Sequence, residues 1–180
     1  MPPAPFRKIL IANRGEIAIR IARACADLGV ASVAVYSDDD THSLHLRKAD
    51  EAHALGKAGV PAYLDGARII ALAKESGCAA IHPGYGFLAE NAAFARAVTE
   101  AGLVFIGPSP RALDLFGDKL AARQLAEQTG VVVIEGATVA SADEAARFFD
   151  RLGPGAGAML KAVAGGGGRG MRPVRRRADI

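Results

Sequence analysis

The sequence has only two cysteines among 180 residues, Cys25 and Cys78. They are far apart, each in an apolar helical or helix-end context, which argues against a disulfide framework or a metal pair and for two buried thiols in a cytoplasmic protein. No apolar run approaches the ~20 residues of a membrane span, so no membrane partner is expected. The opening Met1-Pro2-Pro3-Ala4-Pro5 has neither a basic nor an apolar leader region, so no secretory signal is expected. There is no Ser/His/Asp or Cys/His constellation. The dinucleotide fingerprint is missing too, because Asn13-Arg14-Gly15-Glu16 lacks its spaced glycines. A basic face is also lacking. Residues 169–180 hold five arginines against Asp179, a net +4 that leaves the rest of the chain at −1 within a total of +3. No aromatics interleave those arginines, so the tail reads as a solvated charged end and nucleic acid is not an expected partner.

What the sequence does have is enough apolar content for a core, 51%, arranged as strands alternating with helices. Lys8 to Asn13 reads as a buried strand, Glu16 to Leu28 as an amphipathic helix with Ile17, Ile21, Ala24, Cys25 and Leu28 on one face, and Ala31 to Tyr36 as a second strand. Glu51 to Leu55 reads as a short third strand, Tyr63 to Ser76 as a helix, Ala79 to His82 as a strand, Glu90 to Ala101 as a helix and Leu103 to Ile106 as a strand. This alternation predicts an α/β fold with a Rossmann-like, doubly wound parallel sheet. Ligands of such sheets collect at the carboxyl ends of the strands. Asn13-Arg14-Gly15, His82 to Gly86 and Gly107-Pro108-Ser109 all lie there.

Beyond Pro110 the pattern changes. Helices are expected over Arg111 to Phe116 and Lys119 to Thr129, followed by Val131-Val132-Val133-Ile134. A capping box of Ser141 and Glu144 opens a further helix. A domain boundary is placed near residue 116, giving domains 1–116 and 117–180. The segment Met159 to Ala164 then runs into Gly165-Gly166-Gly167-Gly168-Arg169-Gly170-Met171. Glycines let a backbone fold closely over a ligand and aim several N–H groups at it, and Lys161 and Arg169 add positive charge at either end. A polyphosphate is the natural guest, with ATP the leading candidate; the competing reading is a flexible surface loop. This is not the common P-loop, in which the lysine follows the glycines and starts a helix. A strand–loop–strand hairpin fits better, with Pro173 marking an edge position in the returning strand.

Other residues could carry chemistry. Lys119 starts a helix, where a cation is unfavourable for the helix dipole; it is either simply exposed or there to meet an anion. His82 at a strand end more often serves structure than catalysis, and Tyr85 between glycines is either a loop-tip aromatic or a ligand contact. Asp38-Asp39-Asp40 reads as a turn and cap rather than a metal cluster.

In order, Ile11 to Ala18, His82 to Asn91, Phe105 to Pro108, Gly117-Asp118-Lys119 and Lys161 to Met171 resemble the biotin carboxylase family, more narrowly the amino-terminal part of an acyl-CoA carboxylase α subunit of the acetyl- or propionyl-CoA type. The resemblance implies a pre-ATP-grasp domain followed by the start of an ATP-grasp domain. It implies that Lys119 and Lys161 contact ATP phosphates, that Gly165, Gly166, Gly167, Gly168, Arg169 and Gly170 form a lid, and that Met171 packs near the adenine. It implies that His82, Tyr85 and Glu90 shape the wall of the biotin pocket, and that Arg20 and Arg23 lie at a homodimer interface. The implied reaction is ATP-driven activation of bicarbonate to carboxyphosphate, then carboxylation of biotin on a carrier domain, with a carboxyltransferase as partner and a role in fatty acid metabolism. The family's Mg²⁺-binding glutamates and its bicarbonate and biotin arginine have no counterpart here, since the only acid after Lys161 is Asp179. The sequence therefore contains no complete catalytic or metal set, and this piece is expected to be inactive alone. The alternatives are another ATP-grasp ligase of the carbamoyl-phosphate synthetase type and a non-catalytic Rossmann-like binding module.

Overall fold

The computed structural model describes residues 6–162 and 170–180. These divide into two units, the first ending at Asp118 and the second running Lys119–Ile180.

The first unit is a five-stranded, wholly parallel sheet with the order β3-β2-β1-β4-β5, built from β1 (Lys8–Ile11), β2 (Ala31–Tyr36), β3 (Glu51–Ala54), β4 (Ala80–His82) and β5 (Val104–Phe105). The central strand β1 pairs Leu10 with Val33 of β2 and with Ile81 of β4. Successive side chains point to opposite faces, so this register splits the core in two. Leu10, Val33, Val35 and Ile81 pack with Ile69, Leu72, Phe94 and Val98 from α3 (Gly66–Glu75) and α4 (Ala92–Glu100). Ile9, Ile11 and Ala80 pack on the other face with Ala18, Ile21, Ala22 and Cys25 of α1 (Gly15–Leu28). Coverage on both faces is why these strands read as continuous apolar runs rather than alternating ones.

Three local expectations change. The buried stripe of α1 is Ala18, Ile21, Ala22 and Cys25, while Ala24 and Leu28 are exposed. Ile21 and Cys25 belong to both faces and Ile17 packs half-buried against the core, so the true stripe is the expected one rotated toward Ala18 and Ala22. The helix expected over Tyr63 to Ser76 is two pieces, a single turn α2 (Val60–Tyr63) with proline in its first turn, and α3. The break follows from Asp65, whose carboxylate accepts the Arg68 N–H at 3.0 Å and so acts as a fresh N-cap. Strand β5 is shorter than Leu103 to Ile106. The last helix of the unit, α5 (Pro110–Gly117), starts at the Ser109 cap.

The second unit holds α6 (Lys119–Gln128), α7 (Ala142–Arg151) and the antiparallel pair β6 (Ala158–Lys161) and β7 (Met171–Val174). Among its described residues only Ala145 and Val174 are buried hydrophobics, and Val132 is 96% exposed. Val131 to Ile134 forms no strand. Ser141 caps α7 by accepting the Glu144 N–H, but Glu144 returns its hydrogen bond to the Ala140 N–H rather than to that of Ser141, so the capping box is only half made.

Candidate functional site

Strand order reverses between β1 and β4, and the loops leaving these two strands meet at that switch point, the usual ligand position in such sheets. Asn13, 1% exposed, ties them together. Its Nδ2 donates to the carbonyls of Pro83 at 2.7 Å and Tyr85 at 3.0 Å, while its Oδ1 accepts the Arg14 N–H at 2.9 Å. Gly84 makes the close approach possible. At φ +67°, a Cβ here would lie 2.6 Å from Ile17 Cγ2 and 2.7 Å from Asn13 Nδ2. His82 is half-buried, and its Nδ1 accepts the Gly84 N–H at 3.0 Å, which leaves the ring proton on Nε2. Tyr85 stands at the tip, 74% exposed. Glu90 is exposed just before Asn91, which caps α4 by accepting the Phe94 N–H at 2.8 Å. His82 thus ends β4, and Tyr85 and Glu90 lie in the loop that follows it. Arg20 and Arg23 lie elsewhere, on the exposed side of α1, where they help line a cleft of about 630 Å³ with Glu16, Asp27, Ser43 and His45.

A polar cluster beside this loop has no counterpart in the local sequence pattern. Asp40, 5% exposed, accepts from the Tyr63 hydroxyl at 2.8 Å, from Ser43 Oγ at 3.0 Å and from Ser37 Oγ at 3.3 Å, and it pairs with Arg14. Burial pushes its carboxyl upward, but the hydrogen bonds from Tyr63, Ser43 and Arg14 outweigh that and leave it below the usual carboxylate range. Burial, and then donation to Asp40, raise the Tyr63 phenol to about 12. The neighbouring Asp39 accepts the Gly59 N–H at 2.7 Å. The Asp38-Asp39-Asp40 run therefore organises turns, and among the described residues no group of His, Cys, Asp or Glu could hold a metal ion.

Two imidazoles, His45 buried and His82 half-buried, link this region to pH. His45 donates Nε2–H to the Val35 carbonyl at 3.2 Å and its Nδ1 is unpartnered. Burial holds both His45 and His82 below the ordinary 6.5. As pH falls through 6.5 the unfolded chain takes up protons before the folded one, so stability is lost on the acid side. Urea unfolding followed at several pH values should show a plateau near pH 7.5–8, a decline below 6.5, and a second decline above about pH 9, where burial keeps Cys25, Cys78 and then Tyr63 protonated in the folded chain after the unfolded chain has lost those protons. His45→Leu should flatten the decline below 6.5. Asp40 adds a further loss below its unfolded value of 3.8.

In the second unit Lys161 pairs directly across from Met171. Cross-strand partners share a face, so Lys161, Met171 and Met159 stand together on the open side of the hairpin, and all three are exposed. The Ala162 N–H donates to the Gly170 carbonyl at 2.9 Å. Gly170 has φ +75°, and a Cβ there would come within 2.8 Å of Ala162 Cβ. Gly165 to Gly168 and Arg169 lie outside the described residues. Lys119 is exposed as the first residue of α6. Asp179 pairs with Arg176 at 2.8 Å, and among the described residues no cluster of three or more His, Cys, Asp or Glu side chains that could hold a metal ion is found.

Comparison with known proteins gives this arrangement a context. The family described as "Biotin carboxylase, N-terminal domain" matches residues 5–113. The biotin carboxylase of Halalkalibacterium halodurans is 53% identical over 171 residues, covering 94% of this chain and 38% of that protein. The pyruvate carboxylase of Bacillus subtilis is 50% identical over 183 residues, covering 100% of this chain and 16% of that protein. A solved structure of the biotin carboxylase domain dimer of Hydrogenobacter thermophilus 2-oxoglutarate carboxylase, in complex with MgADP, ADP and bicarbonate, matches with a TM-score of 0.88 at 44% identity, covering 97% of this chain and 38% of that one. The chain spans about two fifths or less of the length of these proteins. With a family match over more than half its residues, and relatives identical at every second position, the chain belongs to the biotin carboxylase family.

Proposed function

We propose that the chain supplies the amino-terminal, nucleotide-facing part of a biotin carboxylase, in which ATP converts bicarbonate to carboxyphosphate and the carboxyl group passes to N1′ of biotin on a carrier domain. The observation that carries this reading is the pairing of Lys161 with Met171 on one open face, on either side of the glycine-rich segment. Residues from Lys119 onward then begin an ATP-grasp domain, and residues up to about 116–118 form the pre-ATP-grasp domain. Lys161 and Lys119 balance the charge of the phosphates as it shifts during transfer, a form of stabilisation worth most where water is excluded. Met171 offers a polarizable surface to the adenine. Gly165 to Gly168, Arg169 and Gly170 cover the phosphates. Tyr85, with Glu90 in the same loop and His82 at the end of β4 before it, forms the biotin-side wall, and the neutral His82 ring shapes that loop by accepting the Gly84 N–H.

Mg²⁺ neutralises phosphate charge in such reactions, and its ligands are expected among the glutamates of the remainder of the enzyme, which the resemblance places outside these 180 residues. Arg20 and Arg23 are read as part of a homodimer interface, a reading supported by the dimeric form of the 2-oxoglutarate carboxylase domain. The final acceptor, expected from the sequence to be an acyl-CoA as in fatty acid metabolism, is set by the carboxyltransferase partner. This region is shared with pyruvate and 2-oxoglutarate carboxylases. No helix among the described residues is long and apolar enough to cross a membrane; the cytoplasmic location is the expectation from the sequence alone.

The test uses the 180 residues joined to the carboxy-terminal portion of the H. halodurans biotin carboxylase, here called the joined enzyme. ATP hydrolysis should require bicarbonate and should accelerate on adding free biotin. Bicarbonate-dependent hydrolysis indifferent to biotin would favour a ligase of the carbamoyl-phosphate type. The 180-residue chain alone should hydrolyse no ATP.

A further inference from the structure

The Tyr85 loop is gripped from two sides. Asn13 holds one side through the Pro83 and Tyr85 carbonyls. On the other side is Phe87, which at φ 41° is the non-glycine residue with a left-handed backbone among those described. That conformation is unfavourable for an L-residue, so the surroundings must hold it in place. The Phe87 ring stacks on Tyr63 with centroids 5.1 Å apart and planes 11° from parallel. Tyr63 is itself immobilised. It is 1% exposed, its hydroxyl donates to Asp40 at 2.8 Å and accepts the Ser37 N–H at 3.3 Å, and the Arg14 guanidinium lies 5.8 Å from its ring centre. Leu88, the next residue, is buried in the core. This much anchoring, including a strained backbone position, surrounds a loop whose central aromatic points at solvent. Strain retained in this way is a mark of a functional constraint.

We propose that Tyr63 and Phe87 are positioning residues, whose stacking fixes how Tyr85 is presented and thereby sets the affinity for biotin. The proposal rests on reading Tyr85 as part of the biotin wall. In the joined enzyme, Phe87→Ala should raise the KM for free biotin 10- to 100-fold, the scale of an ångström-sized misplacement. The KM for ATP should stay within twofold and kcat within threefold, whereas a merely structural loss would lower the yield of active enzyme and leave the biotin KM alone. Phe87→Tyr keeps the stack and should restore the biotin KM to within twofold. Phe87→Leu, which keeps bulk but loses the flat ring, gives the same reading if the alanine variant does not fold. An unchanged biotin KM in the Phe87 variants, alongside a raised one in Tyr85→Ala, overturns the proposal. If Tyr85→Ala also leaves the biotin KM unchanged, the reading of Tyr85 has failed, and with it the link to affinity. Positioning is then decided in the 180-residue chain by hydrogen exchange. Faster exchange of the residue 84–88 amides in Phe87→Ala, with core exchange unaltered, sustains it, and unaltered loop exchange overturns it.

Discussion

Replacing Lys161 with alanine in the joined enzyme should lower kcat for bicarbonate-dependent ATP hydrolysis by about 10²–10³-fold, the range seen when one preorganised charge-stabilising donor is removed. The geometry is the reason. Lys161 lies at the end of β6, beside Met171 and on the exposed face of the hairpin. On the proposed function, an ammonium there is a point charge that meets phosphate oxygens whose charge shifts as the γ-phosphoryl group moves to bicarbonate. Its exposure means that the substitution should leave the urea midpoint of the chain unchanged, which separates chemistry from folding. Lys161→Arg keeps the charge but spreads it over a larger planar group, so it should recover part of the lost rate. A fall of less than threefold in the alanine variant would remove Lys161 from the phosphate site.

Gly84→Ala should be the most damaging single-atom addition for stability, at about 2–5 kcal/mol: roughly 1–2 kcal/mol for a left-handed backbone at an L-residue and 1–3 kcal/mol for overpacking. The new methyl would lie 2.6 Å from Ile17 Cγ2 and 2.7 Å from Asn13 Nδ2, and Asn13 is the side chain that holds this loop. Gly86, two residues on, is the internal control. It has φ +72° but nothing within 4 Å of the added Cβ, so Gly86→Ala should cost only the backbone component. Urea unfolding of both variants reads the difference directly. Equal losses would mean that Ile17 and Asn13 yield freely, and that the contact between the β1 and β4 loops is looser than described.

The parallel sheet was legible because both of its faces are covered, which turns β1, β2 and β4 into apolar runs separated by amphipathic helices. The placement of loops at the carboxyl ends followed from that order alone. The hairpin was legible because strand-like residues flank the glycine run on both sides, with Pro173 marking an edge position in the returning strand. The local errors have local causes. Ala24 and Leu28 look as apolar as the buried residues, yet the helix stripe is decided by which side chains reach the sheet. The β-branched run Val131 to Ile134 has strand propensity but no described strand beside it. The cluster of Arg14, Asp40 and Tyr63 joins residues 23 to 49 positions apart, and no local pattern encodes such a meeting. Asn13 was visible as a strand-end residue, but its hold on Pro83 and Tyr85 depends on β1 and β4 being neighbours.

The most direct test of the whole account follows labelled carbon. The joined enzyme is given labelled bicarbonate and free biotin, with ATP in one sample and ADP in the other, and acid-labile carboxybiotin is measured. Label should appear in biotin with ATP and be absent with ADP. ATP consumption with no label in biotin would contradict the assignment of this chain to biotin carboxylation.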